Sequence, residues 1–302
     1  MKKYLSAIAI FFLFNSVFSQ NKMIVFQTDF GLKDGAVSAM KGVAMTVDPS
    51  LQLFDITHEI PAYNIWEAAY RLNQTVSYWP SGTVFVSVVD PGVGTNRKSV
   101  VLKTSAGHFI VTPDNGTLTL IAQSEGIDAV REIDETINRR KGSEQSYTFH
   151  GRDVYAYTAA RLASGAIMFE QVGKLLPQTV EQIQYQKATT DGKKIKGNIP
   201  AHDVQYGNIW TNIPSEMMSR LDIKAGDLLN VIIYNKGKRA FIGVLPYRTT
   251  FGDVQEGKPL AYLNSLLQLS FAINQNNFAE TFNIKSGSDW SVEIGLNKKA
   301  GK

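Results

Sequence analysis

The sequence predicts an α/β domain followed by a smaller, mainly β domain. Two observations predict the first domain: apolar, β-branched runs alternate with segments of helical period, and polar turns close the runs. One observation predicts the second: beyond Pro177 the chain changes to a succession of short strand-like runs. The predicted boundaries are 1–19 for a signal peptide, 20–188 for the α/β domain and 189–302 for the β-rich domain.

The N-terminus has the pattern of a secretory signal. Lys2 and Lys3 precede a mostly apolar run over Tyr4–Phe18, and small residues place the predicted cut after Ser19. A membrane anchor is the alternative, but the run is shorter than the about 20 apolar residues of a spanning helix, and Asn15 interrupts it. The pattern favours export to a bacterial periplasm, with no membrane attachment after cleavage.

The composition is that of an ordinary globular protein. The chain has 302 residues, of which 44% are hydrophobic and 19% charged. The formal charge of +4 falls to +2 once Lys2 and Lys3 are removed, and no block of basic residues is present, which argues against a nucleic-acid partner. Cysteine is absent, so no disulfide framework is available and the fold must rest on its core.

The elements of the α/β domain follow from apolar runs and helix-stop signals. Asn64 is a predicted N-cap and Pro80 ends the helix that it begins. The predicted strands and helices, in order, are Met23–Phe26 (strand), Asp34–Val47 (helix), Leu51–Ile56 (strand), Asn64–Tyr78 (helix), Thr83–Val89, Ser99–Lys103 and His108–Thr112 (strands) and Asp153–Leu162 (helix).

The β-rich domain is preceded by a polar, basic segment, Asp191–Lys196, which we expect to be a linker. Asn235-Lys236-Gly237-Lys238 is a predicted hairpin turn. The predicted strands are Asn208–Asn212, Leu228–Tyr234, Arg239–Val244, Leu260–Leu263 and Trp290–Ile294.

Polar residues gather where the apolar strands of the first domain end. Ligands of open α/β sheets bind beyond the carboxyl ends of strands, so this distribution predicts one site, although each residue alone could simply form a turn. A fourth polar loop, residues 149–153, precedes a helix. The residues in the first three loops are Asp29 and Asp34, Asp90 and Arg97, and Asp114 and Asn115.

Several familiar catalytic patterns are missing from the sequence. There is no glycine-rich dinucleotide or Walker signature, no His-x-x-x-His zinc pattern and no nucleophile elbow. A dinuclear metal hydrolase could use Asp29, Asp90, Asn115 and His150. The chain has only 4 His and no clustered pair, which disfavours that alternative, and we predict no metal site.

Four loop motifs together resemble the S-adenosylmethionine hydroxide adenosyltransferase family, which is related to the bacterial fluorinase and chlorinase. The motifs are Thr28-Asp29-Phe30-Gly31, Asp90-Pro91-Gly92-Val93-Gly94, Pro113-Asp114-Asn115-Gly116 and Phe149-His150-Gly151-Arg152-Asp153. The resemblance continues in order through the second domain. It implies a barrel-like second domain, hydrolysis of S-adenosyl-L-methionine to adenosine and L-methionine, no cofactor, and a homotrimer whose sites lie between subunits.

The resemblance also implies roles for individual residues. Asp29 would take both ribose hydroxyls, since a carboxylate offers acceptors for two O–H donors. The Asp90, Arg97 and His150 set would be the catalytic, water-handling triad. The other substrate-binding residues would be Tyr63, Tyr206 and Trp210 around the adenosine, Asn208 and the backbone near Ile273 and Gln275 at the adenine edge, and Asp203 and Ser265 at the methionine amino and carboxylate groups.

Departures from the halogenase pattern favour hydrolysis. The related halogenases carry tyrosine at the positions of Asp90 and His150, and a serine that holds the halide at the position of Gly151. An anionic Asp90 would repel a halide. Leu266 stands where the fluorinase has arginine, which leaves the methionine carboxylate contacts open. A chlorinase-like enzyme, an exported binding protein without turnover, and a purely structural triad are the alternatives.

The proposed chemistry needs few groups. Methionine leaves as a neutral thioether, so no general acid is required, and the water must be held in line with the C–S bond. Asp90 is the candidate that orients the water, Arg97 would keep Asp90 ionised, and His150 could take or relay the proton. The division of labour between Asp90 and His150 stays open at the level of sequence.

Overall fold

The computed structural model describes residues 21–297, so the predicted signal peptide lies outside the described residues. Its first domain is built on a seven-stranded sheet with the strand order β2-β1-β3-β5-β4-β6-β7. The strands β2, β1, β3 and β5 run parallel, whereas β4, β6 and β7 add antiparallel neighbours. The bounds are β1 Met23–Thr28, β2 Gln52–Thr57, β3 Val84–Val88, β4 Ser99–Thr104, β5 Phe109–Pro113, β6 Ile127–Glu132 and β7 Leu175–Leu176.

Helices cover both faces of this sheet, which explains why its strands are continuous apolar runs. Ile24 and Phe26 of β1 pack in the core that includes Met40, whereas Val25 packs on the other face with Leu72. No helix within residues 21–297 combines the length and apolarity that crossing a bilayer requires. The α-helices are α1 Ala36–Val47, α2 Ile65–Thr75, α3 Thr119–Ser124, α4 Glu135–Asn138 and α5 Tyr157–Ala163.

Two antiparallel sheets form the second domain and share one core. The first has the order β10-β11-β15-β14 and the second the order β13-β12-β16-β9-β8. The bounds are β8 Thr189–Thr190, β9 Lys194–Ile199, β10 Ala201–His202, β11 Ile209–Pro214, α6 Ser215–Ser219, β12 Leu228–Asn235, β13 Lys238–Pro246, β14 Pro259–Leu263, β15 Gln268–Ile273, α7 Phe278–Phe282 and β16 Gly287–Leu296.

The α/β and β-rich character of the two domains is confirmed, and so are the hairpin turn between β12 and β13 and the Asn64 N-cap, which accepts from Glu67 N. The predicted linker Asp191–Lys196 is wrong, because β9 begins at Lys194 and pairs with β16. Lys194 and Lys196 face solvent beside Glu293, while the intervening Ile195 is buried. The charge of this segment therefore belongs to one face of a strand. The strands β6, β7, β8, β10 and β15 were not predicted.

The two domains contact each other along α2. The Trp66 indole N–H donates to the Pro200 carbonyl at 2.9 Å, and the Arg71 guanidinium donates to the His202 carbonyl at 3.1 Å. Trp210 of β11 lies against Tyr70, with ring centroids 6.3 Å apart, and the Arg71 guanidinium carbon is 5.8 Å from the Trp210 ring centroid. These contacts fix the β10–β11 end of the second domain against the first.

One buried histidine lies where β5 begins, at the sheet edge opposite the ends of β1 and β3. His108 Nδ1 is 2.8 Å from a Glu125 carboxylate oxygen, and its Nε2 is 3.0 Å from the Trp79 carbonyl oxygen. Burial disfavours the charged ring, but the bonds to Glu125 and to the Trp79 carbonyl outweigh it, and the net effect is to raise the pKa of His108. With acceptors at both nitrogens, the imidazolium form is the one that this pocket fits.

We expect this histidine to make stability depend on pH. A raised folded-state pKa stabilises the fold fully below the unfolded value of about 6.5 and loses that contribution as the pH rises through the folded value. The difference in unfolding free energy between the wild type and His108→Gln should therefore narrow as the pH increases. Urea denaturation at several pH values between about 6 and 9 measures it. A difference that is independent of pH would show that folding does not change the pKa of His108, and a difference that widens as the pH increases would show that the fold disfavours the charged ring.

Candidate active site

Polar side chains converge at the carboxyl ends of the neighbouring parallel strands β1 and β3. Asp29 follows β1 directly, and Asp90 comes two residues after β3 ends. The two strands pair in parallel, so their ends lie at the same edge of the sheet, where ligands of this architecture bind. One Asp29 oxygen, Oδ2, accepts the backbone N–H of Tyr63 at 2.9 Å. Tyr63 itself is largely exposed.

Asp90 forms a buried, two-pronged ion pair with Arg97. Arg97 Nε donates to Asp90 Oδ1 at 2.9 Å, and its Nη2 donates to the other carboxylate oxygen. Arg97 Nη1 donates to Ser99 Oγ at 2.8 Å, which anchors the guanidinium to β4. Burial opposes the charge of Arg97, but the bonds from Asp90 prevail and raise the pKa of Arg97. Arg97 therefore stays charged, and its planar guanidinium holds the carboxylate in one orientation.

Tyr155 lies between this ion pair and His150. Its hydroxyl is 3.1 Å from Ser99 Oγ and 3.5 Å from Asp90 Oδ2, and the Arg97 guanidinium carbon is 5.8 Å from its ring centroid. The ring centroids of Tyr155 and His150 are 6.4 Å apart. Tyr155 is fully buried, and this burial raises the pKa of its hydroxyl. The structure thus brings Asp90, Arg97 and His150 together around one neutral tyrosine.

His150 begins a π-helical turn over Gly151–Ala156 that leads directly into α5. Its Nε2 lies 3.3 Å from Arg139 Nη2 and 3.5 Å from Glu135 Oε1. His150 first, and then Arg139, outweigh burial and lower the pKa of Glu135 to about 2. The other ring nitrogen, Nδ1, is buried and has no hydrogen-bond partner among residues 21–297. Nδ1 is therefore the polar atom of His150 that has no protein partner in the described part of the chain.

Glu135, Arg139 and Tyr155 were missed by the sequence analysis. The only available signal was the i, i+4 spacing of Glu135 and Arg139, which predicts a helical ion pair and nothing about a site. The structure also explains Gly151. A Cβ there would lie 3.1 and 3.2 Å from the Phe30 ring and 3.4 Å from the Met40 sulfur, so a larger residue would require a shift.

Four of the predicted substrate-binding residues border one cavity of about 500 Å³ in the second domain. Every residue that lines it belongs to the second domain. The carboxylate of Asp203 stabilises the adjacent turn, because its Oδ1 accepts the backbone N–H groups of Gln205 and Tyr206. The four predicted residues at this cavity are Tyr206, Asn208, Ile273 and Gln275.

Trp210 and Ser265 lie elsewhere on the second domain. Trp210 packs on α2, as described above, and Ser265 is exposed in the turn between β14 and β15. Within one chain, therefore, Asp29, Asp90 and His150 belong to the first domain, and the cavity bordered by Tyr206 and Asn208 belongs wholly to the second.

The residues of the alternative metal site do not converge as ligands. The Asn115 amide N–H donates to the Val89 carbonyl at 2.9 Å, which supports the loop that carries Asp90, and the Asp90 oxygens face Arg97. Among the described residues, no group of three or more acidic or histidine side chains has an arrangement that could hold a metal ion.

Comparison with known proteins shows the family of this chain. Residues 24–173 match the SAM hydroxide adenosyltransferase N-terminal domain, and residues 197–291 match the corresponding C-terminal domain. The chain belongs to the SAM hydroxide adenosyltransferase family. A relative from Salinispora tropica named (R)-S-adenosyl-L-methionine hydrolase is 32% identical over 90% of this chain and 98% of its own. A protein from Thermus thermophilus with the same name is 33% identical over 87% and 96%.

More distant members of the SAM hydroxide adenosyltransferase family carry another name. A fluorinase from Actinopolyspora mzabensis is 28% identical over 88% of this chain and 95% of its own. Among solved structures, an uncharacterized conserved protein from Thermotoga maritima is similar, with a TM-score of 0.81, 35% identity and coverage of 90% of this chain and 100% of that chain.

We expect the Asp90–Arg97 pair to dominate the stability of the site. Arg97→Met leaves a buried carboxylate without its partner and should lower the unfolding free energy by about 3–5 kcal/mol. The double variant Asp90→Leu/Arg97→Met removes both charges and should recover part of that loss. Urea denaturation of the wild type, both single variants and the double variant measures the coupling. A cost below about 1 kcal/mol for Arg97→Met would contradict the buried geometry, since that is the value of an exposed pair.

Proposed function

We propose that this protein hydrolyses S-adenosyl-L-methionine to adenosine and L-methionine by attack of water on the ribose 5′ carbon. The observation that carries the proposal is the buried carboxylate of Asp90, held by Arg97 and connected to His150 through the side chain of Tyr155, in a chain of this family. Relatives at 32% and 33% identity along most of the chain bear the name of that hydrolase, which supports the same reaction here.

The reaction mainly requires the protein to hold the water and the substrate in the correct relative position. The sulfonium centre accepts the electron pair of the breaking C–S bond and departs as a neutral thioether, so the leaving group needs no proton. The attacking water must lie opposite that bond and must lose a proton. Holding both reactants in this geometry supplies a substantial part of the rate enhancement, and no cofactor takes part.

Asp90 is the group proposed to accept a hydrogen bond from the water. Arg97 occupies both carboxylate oxygens with its fork and so fixes the direction of the remaining lone pairs. His150 presents Nδ1 as its remaining polar atom, because Nε2 faces the Glu135–Arg139 pair. Asp90 and His150 are the two groups that can receive the proton, and variants of each distinguish them.

Substrate recognition is proposed to use both domains. Asp29 would bind the ribose hydroxyls, with Tyr63 beside it, and the cavity at Tyr206 and Asn208 would take the adenine. Asp203 and Ser265 would hold the methionine end, and Trp210, Ile273 and Gln275 would complete the contacts. The family resemblance implies a homotrimer, and we propose that neighbouring subunits complete each site; a cavity in the second domain with no lining from the first domain supports this arrangement.

The proposal includes export, cleavage after Ser19 and release to the periplasm, without membrane or nucleic-acid partners. This signal favours one second candidate, an exported S-adenosylmethionine or nucleoside binding protein without turnover. Halogenation is disfavoured on two grounds. Asp90 places negative charge where a halide would attack, and Gly151 offers no hydroxyl to hold a halide, while a side chain there would require the Phe30 ring to shift.

Product analysis tests the reaction. Mature protein incubated with S-adenosyl-L-methionine should release equal amounts of adenosine and methionine, with or without chloride, and chelators should have no effect. Binding without product would support the exported binding protein, and 5′-chloroadenosine would support a halogenase.

Variants of the triad test the roles. Asp90→Ala and His150→Ala should each lower kcat, by ~10²–10⁴-fold for the residue that receives the proton, while the dissociation constant of the substrate changes little. Arg140→Ala, an exposed neighbour of Arg139, is the control and should retain wild-type turnover. Unchanged kcat in both triad variants would contradict the mechanism.

Tyr155→Phe isolates the hydroxyl between Ser99 and Asp90. Losing hydrogen bonds worth about 0.5–1.5 kcal/mol each should reduce kcat by roughly 2–12-fold through a looser Asp90. Tyr157→Phe, two residues further along the same helix, is the matched control, because its ring contacts Arg161 and not the triad. Equal effects of the two variants would show that the Tyr155 hydroxyl has no special role.

A further inference from the structure

A chain of four side chains lies beneath the turn that carries Asp29. Thr28 Oγ1 is 2.8 Å from His58 Nδ1, and His58 Nε2 is 3.0 Å from Asp55 Oδ1. The other carboxylate oxygen of Asp55 accepts from Lys41 of α1 at 2.6 Å. Thr28 and His58 are buried, whereas Asp55 and Lys41 are partly exposed at the outer end. The chain thus runs from the protein surface to the residue that precedes Asp29.

The direction of each hydrogen bond in this chain follows from its ends. Lys41 can only donate, so Asp55 is the acceptor at both of its oxygens, and the N–H at His58 Nε2 donates to Asp55 Oδ1. At Thr28, the backbone N–H of Phe30 donates to Oγ1 at 3.2 Å, and the hydroxyl proton is then directed at His58 Nδ1. With a proton on His58 Nε2 and Nδ1 as the acceptor, every polar hydrogen along this chain of side chains has an acceptor.

This order of threonine, histidine and aspartate is also the order of a nucleophilic triad, but the burial excludes that role. Thr28 is 0% exposed, so its hydroxyl cannot reach a substrate carbon. What the chain does contact is the turn itself. The hydroxyl of Thr28 holds the N–H of Phe30, and the carbonyl of His58 holds the N–H of Gly31 at 2.7 Å.

Asp29 is consequently fixed from two directions. Its backbone lies between Thr28 and Phe30, which the chain holds, and its Oδ2 accepts the N–H of Tyr63. Gly31 has a positive φ of 68°, a conformation that closes the turn tightly and that the bond to the His58 carbonyl maintains. A carboxylate that must meet two adjacent hydroxyls at once needs such a fixed orientation.

We propose that Thr28, His58 and Asp55 are positioning residues that set how strongly Asp29 selects a vicinal diol over its deoxy analogue. The inference rests on the proposed function, since it takes Asp29 as the ribose ligand. The chain touches neither the water nor the breaking bond, so it acts on binding. Its loss raises KM more than it lowers kcat and weakens adenosine more than a nucleoside without the diol.

Calorimetric titration with adenosine and 2′,3′-dideoxyadenosine tests the inference. The quantity compared between variants is the ratio of the dissociation constant of 2′,3′-dideoxyadenosine to that of adenosine. Thr28→Val keeps the shape of the side chain but removes the hydroxyl, and should reduce that ratio by about tenfold, the order expected for one misplaced polar contact. Thr28→Ser restores the hydroxyl and should restore the ratio. Asp55→Ala, at the exposed end, should move the ratio in the same direction and provides the test if Thr28→Val fails to fold.

Thr104→Val is the matched control. Thr104 is also buried at the end of a strand, and its hydroxyl also accepts a backbone N–H, that of His108 at 3.0 Å, beyond the other end of the sheet. It should lose stability as Thr28→Val does while keeping the wild-type ratio.

Asp29→Asn shows how far the ratio falls when the ribose carboxylate itself is lost. It also distinguishes the positioning inference from the proposed function. If it reduces the ratio but Thr28→Val and Asp55→Ala do not, the positioning chain is overturned and the proposed function stands. If Asp29→Asn leaves the ratio unchanged, or the wild type binds no adenosine, the ribose role of Asp29 is overturned and this inference with it. A ratio that falls equally in Thr104→Val also overturns it, because general loosening would then explain the effect.

Discussion

The ion pair between Asp90 and Arg97 is the interaction on which the site depends. A buried carboxylate is costly unless its charge is compensated and its lone pairs are bonded, and Arg97 does both through two parallel bonds. The guanidinium is in turn anchored to Ser99 of β4, so the loop after β3 is tied to the sheet. Without this pair, the hydroxyl of Tyr155 loses its contact with the Asp90 carboxylate and the loop after β3 loses its bond to β4.

Further hydrogen bonds support the loops and side chains around this pair. Asn115 holds the carbonyl that precedes Asp90, and Glu135 with Arg139 occupies the far side of the His150 ring. Beneath Asp29, a separate set of bonds ends at Lys41 on α1. Each side chain proposed to catalyse or bind is thus supported by others that have no proposed contact with the substrate, which is how a protein keeps reactive groups in narrow orientations.

The two domains contribute in different ways. The parallel strands of the first bring acids from distant parts of the sequence to one sheet edge, whereas the second supplies a mostly apolar cavity beside β11 and β15. Contacts along α2, including those of Trp66 and Arg71, hold the two domains against each other. A division between a charged reacting end and an apolar recognition end suits a substrate with a cationic centre and a planar base.

The sequence by itself determined the fold class, most strands of the first sheet, and the loops that carry Asp29, Asp90 and His150, because apolar periodicity and turn residues are local signals. The sequence analysis predicted a linker at Lys194 and Lys196, since the charged face of a strand resembles solvent-exposed chain until its partner Glu293 is known. Only the tertiary structure decided which residues support the site. The proximity of Tyr155 to Asp90, and of His58 to Thr28, arises from long-range packing that spacing along the chain does not encode.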